Sequence, residues 1–155
     1  MFVDSHCHLD QIDLDSRVGG LKGLIADAKR RGVGHMLSVA VDLQSSRSLP
    51  SLTADYPEIF TSVGVHPLHK DSGLLVSVEE LIDLSYLPGV IAIGETGLDK
   101  FYSLDTIDWQ TESFIAHLKA SQRTGKPLII HTRDAVDDTI RLLTEYSSKA
   151  AGVMH

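Results

Sequence analysis

The chain has 155 residues, 43% hydrophobic and 23% charged, with a formal net charge of −7. That length suits one domain with a real core, and an acidic chain without any run of basic residues is poorly made for broad electrostatic binding along duplex nucleic acid. A single cysteine excludes an internal disulfide, the N-terminus lacks signal-peptide features and no stretch approaches the roughly 20 apolar residues of a membrane span, so a cytoplasmic, non-membrane protein is expected.

The first apolar run, FVDSH at 2–6, leads into His6 and His8. Residues two apart on a strand share a face, so these imidazoles would stand side by side while Cys7 turns toward a helix layer as a small buried hydrophobe. Val18, Leu21, Leu24, Ile25 and Ala28 predict a helix over 17–31, stopped at Gly32. HMLSVA at 35–40 reads as a second strand opened by His35. The stretch 43–56 reads as a short or bent helix because Pro50 disturbs a helix interior. FTSVGVH at 60–66 is the third strand, ending on His66, and Ser77 with Glu80 forms a capping-box pattern before Leu81, Ile82 and Leu84. VIAIGET at 90–96 carries Glu95; a helix follows from about Ile107 to Gly125; PLIIHT at 127–132 carries His131. Arg133 and Asp134 then open the next segment, with Asp134 as N-cap of a helix over 135–146, and AGVMH at 151–155 ends on His155.

Strands alternating with helices, without a hairpin signal, predict parallel strands joined by crossovers. The repeat is about 30 residues, so eight units would total about 240, close to the roughly 250 of a TIM (β/α)₈ barrel. The expectation is an α/β barrel of that type, with about six of eight units present in a single domain over 1–155. Six strands do not close a barrel in the usual geometry, which predicts either a longer chain of about 250 residues or a partner that supplies the missing strands.

His6, His66, Glu95, His131 and His155 fall at predicted C-terminal strand ends, with His8 just beyond the first; in a parallel barrel these ends form one rim, where active sites are built. An unpaired carboxylate at the end of a buried strand is costly, and a cation is the simplest remedy for Glu95. With His6, His8, His131 and His155 it makes an N/O ligand set suited to zinc, manganese, iron or nickel, and two carboxylate oxygens allow it to bridge two ions. Hydrogen-bonded structural histidines are the competing reading. His66 could contact substrate or orient a loop; Arg133 could meet a phosphate or form a loop salt bridge. His35, His69 and His117 read as structural or solvated.

DSHCHLD, GVHP, IGETGLD, IIHTRDA and GVMH, in this order and at these intervals, resemble the TatD family of metal-dependent hydrolases and deoxyribonucleases across residues 1–155. The resemblance implies a TIM barrel that hydrolyses DNA phosphodiesters, generally from the 3′ end of single strands, through a water activated by two divalent ions (zinc, manganese, magnesium, iron or nickel). By that similarity His6 and His8 bind the first ion, Glu95 bridges both as the catalytic carboxylate, and His131 and His155 bind the second. An aspartate that completes the family's first site belongs to a later strand than this chain reaches. Single-stranded DNA ends would be the partner, with no obligate protein partner for a full-length chain. A small-molecule amidohydrolase is the alternative enzyme, but its bridging carbamylated lysine would belong where Glu95 stands, and Lys126 lies at the wrong end of strand five. A non-catalytic metal-binding fragment is the third reading.

Overall fold

Six short runs rich in Val, Ile, Leu and Met become six parallel strands in the computed structural model, which describes residues 1–69, 75–146 and 151–155. The strands are β1 (Phe2–Cys7), β2 (Val33–Ser38), β3 (Ile59–Val63), β4 (Val90–Asp99), β5 (Leu128–Arg133) and β6 (Gly152–Met154). Each pairs with the next in sequence, giving the order β1-β2-β3-β4-β5-β6, a curled α/β half-barrel. Helices α1 (Gly20–Arg30), α2 (Leu43–Leu52), α3 (Val78–Ser85), α4 (Ile107–Thr124) and α5 (Val136–Tyr146) supply the crossovers.

Local chemistry explains where the helices begin and end. Asp42 and Ser45 cap α2 reciprocally, the Asp42 carboxylate accepting from Ser45 N and the Ser45 hydroxyl accepting from Asp42 N. Ser77 Oγ accepts from Glu80 N at the start of α3, and Gly125 closes α4 at φ 71. Pro50 sits inside α2 without ending it.

Alternation along the strands sorts residues between two faces. Leu128 and Ile130 pack against Phe114, Leu118 and Leu142 of the helix layer, while Ile129 joins Val39 and Ala92 on the inner face, so His131 continues the inner row. On β4 both Ile93 and Leu98 face the helices although they are an odd number apart. The alternation therefore changes phase between them, where the β4–β5 register also shifts, between Ile93 and Thr96. Glu95 lies within that irregularity.

Several boundaries differ from the sequence expectation. β4 runs on to Asp99 and β5 to Arg133, so Arg133 is a strand residue paired with Asp99 rather than the start of a loop. β3 stops at Val63, which leaves His66 in the segment beyond it. Asp134 is not the cap of α5: it takes a left-handed turn at φ 53 that redirects the chain out of β5, and α5 begins at Val136, with Ala135 in the cap position. Among the described residues no helix is long and apolar enough to cross a membrane.

Candidate metal centre

Glu95 is 3% exposed, and every ion-pair contact it makes among the described residues is to an imidazole. Its two oxygens serve different strands. Oε2 lies 3.3 Å from His6 Nε2 and 4.0 Å from His8 Nε2; Oε1 lies 2.8 Å from His155 Nε2, 3.5 Å from His131 Nδ1 and 3.6 Å from His66 Nε2. Burial alone would raise the Glu95 carboxyl, but hydrogen bonds to His131 and His6 outweigh it and hold the group well below the usual carboxylate range. The five sequence-predicted rim imidazoles thus converge on Glu95, and all of them but His131 line with it a concavity of about 240 Å³ that Gln11, Val41, Leu68 and His69 also line.

The backbone is built to deliver this carboxylate. Glu95 N donates to Ala40 O beyond β2, and Ser62 Oγ donates to Gly94 O. Two positions on, Gly97 has φ 139, and a Cβ there would lie 2.0 Å from His131 O. Only glycine permits that approach of β4 to β5 beside the imidazole.

Hydrogen-bond partners decide which ring nitrogen each histidine offers. His8 Nδ1 lies 2.9 Å from Val39 O, and a carbonyl only accepts, so Nδ1 carries the proton and neutral His8 turns the Nε2 lone pair toward Glu95. His131 Nε2 donates to Asp99 Oδ2 at 3.0 Å, which leaves Nδ1 for Glu95; the Glu95 hydrogen bond raises the His131 pKa against burial, and Asp99 adds to the rise. His66 is the reverse. Its Nδ1 accepts from Leu68 N at 3.1 Å, so the neutral ring presents Nε2–H to the site, and burial pushes its pKa down to about 4.

Two groups of three bring potential ligand atoms within 4.8 Å of one another: His6, Glu95 and His155, and His66, Glu95 and His131. A buried carboxylate surrounded by imidazoles, with no lysine or arginine at ion-pair distance among the described residues, fits a divalent cation chemically. The grouping differs from the one the resemblance implies. The His6 and His155 rings are 4.4 Å apart, whereas His131 and His155 are 5.8 Å apart and His66 and His131 4.5 Å.

Two contributors were not among the residues that spacing singled out. Asp99, fully buried, holds His131 and also accepts from Tyr102 N at 2.7 Å, while the Gln110 amide bonds its backbone on both sides. Its signal was the strand continuing through GLD. His117, fully buried in α4, accepts from Val65 N at 3.0 Å and donates from Nδ1 to Ser113 O at 2.7 Å, which pins the residue before His66. Burial pushes its pKa down to about 4. Arg133 forms no loop salt bridge among the described residues, and its guanidinium stacks on Phe101 and Tyr102. Cys7 packs beside Ile25, Met36 and Ile59, and burial pushes its thiol up to about 12, so it offers no thiolate nucleophile. Lys126 Nζ reaches Val90 O at the opposite end of the sheet.

A parallel β/α half-barrel that closes five imidazoles round one carboxylate at its C-terminal rim has the architecture of a metal-dependent hydrolase. The family model described as TatD related DNase matches residues 3–155, and the chain belongs to that family. It is 40% identical over 154 residues to the uncharacterized metal-dependent hydrolase YcfH of Escherichia coli, covering 99% of this chain and 57% of that protein. It is 32% identical over 133 residues to the 3′-5′ ssDNA/RNA exonuclease TatD of Escherichia fergusonii, covering 85% of this chain and 51% of that one. The crystal structure of YJJV, a TatD homologue from Escherichia coli, matches with a TM-score of 0.81 at 28% identity, over 99% of this chain and 59% of that one. The chain therefore spans little more than half the length of these relatives.

Proposed function

We propose that the protein is a metal-dependent phosphodiesterase acting on DNA, at the 3′ ends of single strands, with two divalent cations held at the Glu95 rim. One observation carries this reading: a buried carboxylate whose two oxygens face imidazoles from different strands, His6 and His8 on one side and His131, His155 and His66 on the other. The family membership supports hydrolysis, and the exonuclease name of one relative supports a nucleic-acid substrate.

In this reading His6, His8, Glu95, His131 and His155 hold the ions, and residues 1–155 act as one domain. Divalent ions, when bound, supply Lewis acidity that acidifies water and neutralises charge on a phosphate oxygen. The protein's own part is orientation. The Val39 carbonyl and the Asp99 carboxylate hold His8 and His131 with the correct nitrogen inward, and partners of this kind raise ligand basicity. His66 has the opposite tautomer, so its Nε2–H is a donor for a substrate oxygen rather than a lone pair for an ion. His66→Ala should raise KM more than it lowers kcat.

Dialysis against excess chelator should abolish hydrolysis of a single-stranded oligodeoxynucleotide, and manganese or magnesium should restore it. Full activity in chelator would refute the reading. Hydrolysis of an amide or lactone substrate, with the oligonucleotide untouched, would favour the amidohydrolase instead.

A further inference from the structure

The turn after β4 exposes two adjacent aromatic rings, Phe101 at 56% and Tyr102 at 62%, that the metal centre does not use. Their centroids are 4.7 Å apart, edge to face. The Arg133 guanidinium, itself exposed at the end of β5, lies over both, 4.4 Å from the Phe101 centroid and 4.6 Å from that of Tyr102. Five other exposed arginines find acids: Arg17, Arg30, Arg47, Arg123 and Arg141 each meet a carboxylate, while Arg31 has neither an ion pair nor an aromatic partner among the described residues. Arg133 meets none among the described residues and stacks instead, with its N–H groups still able to donate.

This cluster is tied to the centre through one carboxylate. Asp99 Oδ2 accepts a hydrogen bond from His131 Nε2 at 3.0 Å and Oδ1 accepts from Tyr102 N at 2.7 Å, while Lys100 N donates to Arg133 O at 3.0 Å. The ledge therefore cannot move far without His131. A planar cation that is not neutralised, backed by exposed rings and fixed beside a phosphate-hydrolysing site, matches what one nucleotide presents: a flat base to stack and a phosphate to accept N–H donors.

We propose that Phe101, Tyr102 and Arg133 form a nucleobase-stacking subsite that holds the strand next to the metal centre. The inference rests on the nuclease reading and deepens it. A base stacks on the Phe101 and Tyr102 rings without regard to its identity, since every base has a π face, and Arg133 grips the adjoining phosphate. Sequence preference should be weak and base dependence strong.

The test measures anisotropy of two fluorescein-labelled oligomers of equal length and charge on the metal-loaded full chain, one of thymidylate and one abasic throughout. The unaltered protein should bind the thymidylate oligomer roughly tenfold more tightly. The F101L/Y102L double variant, whose surface leucines keep the fold and whose metal content is checked alongside, should bind both equally. R133K, which retains charge but not the planar stack, should lose most of the preference. Equal binding of the two oligomers by the unaltered protein, or a preference that survives in F101L/Y102L, would overturn the subsite. Parallel hydrolysis assays separate the two readings: base-dependent binding with no cleavage of either oligomer would sink the nuclease assignment and leave the subsite standing.

Discussion

The middle of the sheet and its two outer strands have opposite characters. Val63, Ile93, Leu98, Leu128 and Ile130 on β3–β5 are buried under α3, α4 and α5. On β1, Phe2 is 71% exposed, and on β6, Val153 is 53% exposed. Yet the residues of the rim divide evenly across this boundary: Glu95, His131 and His66 come from the buried half, and His6, His8 and His155 from the exposed one. Side-chain packing under the helices stabilises the middle, whereas the outer strands are held to their neighbours by parallel backbone pairing and also reach the middle through polar contacts at Glu95. A cation shared there would join the two.

Removing that joint should have the largest effect. Glu95→Ala leaves the imidazoles without a counter-charge, so metal content by mass spectrometry should fall to background and hydrolysis by at least about 100-fold; two retained ions and a normal rate would end the bridging role. Packing comes next. Ile93→Ala should cost about 2–5 kcal/mol in urea unfolding, and Val153→Ala, on the exposed strand, under about 1 kcal/mol. Equal losses would mean that the outer strands are as firmly packed as the middle.

Metal should act in the opposite pattern. At about 100 times its Kd a manganese ion bound only by the native state adds about 2.7 kcal/mol, and hydrogen exchange should slow chiefly in β1 and β6. Slowing confined to β3–β5 would contradict the division. The smallest effect concerns His117, fully buried in α4 and in contact with none of the candidate ligands. Its pKa is lowered from 6.5 to about 4, so the native state resists a proton that the unfolded chain accepts. Its contribution is complete above pH 6.5 and is lost as the pH falls toward 4, at about 1.4 kcal/mol per unit. Unfolding free energies from urea titrations at pH 7 and pH 5 should differ by about 2 kcal/mol from this residue, and His117→Gln should flatten that part of the profile.

Much of this was legible along the chain. Alternation placed His6 and His8 together, an acidic residue closing an apolar run marked Glu95, and His131 and His155 followed from strands of the same form. The phase change on β4 was not legible, because Gly94 and Gly97 tolerate backbone that no periodicity encodes, and with it went Asp99. Arg133 was placed in a loop for the same reason: a polar HTRD run reads as a strand exit, but Arg133 is paired opposite Asp99.

Residue type and spacing by themselves determined the parallel α/β order and which side chains arrive at one rim, since both depend on the backbone repeat and on the cost of burying polar groups. Only the tertiary structure decided which imidazoles share each Glu95 oxygen, which nitrogen His8, His66 and His131 turn inward, and where Arg133 stacks. Those choices rest on hydrogen bonds and ring contacts a few ångströms long between groups such as Val39 and His8 or Asp99 and His131, distant in sequence, whose angles exist only once the strands are paired.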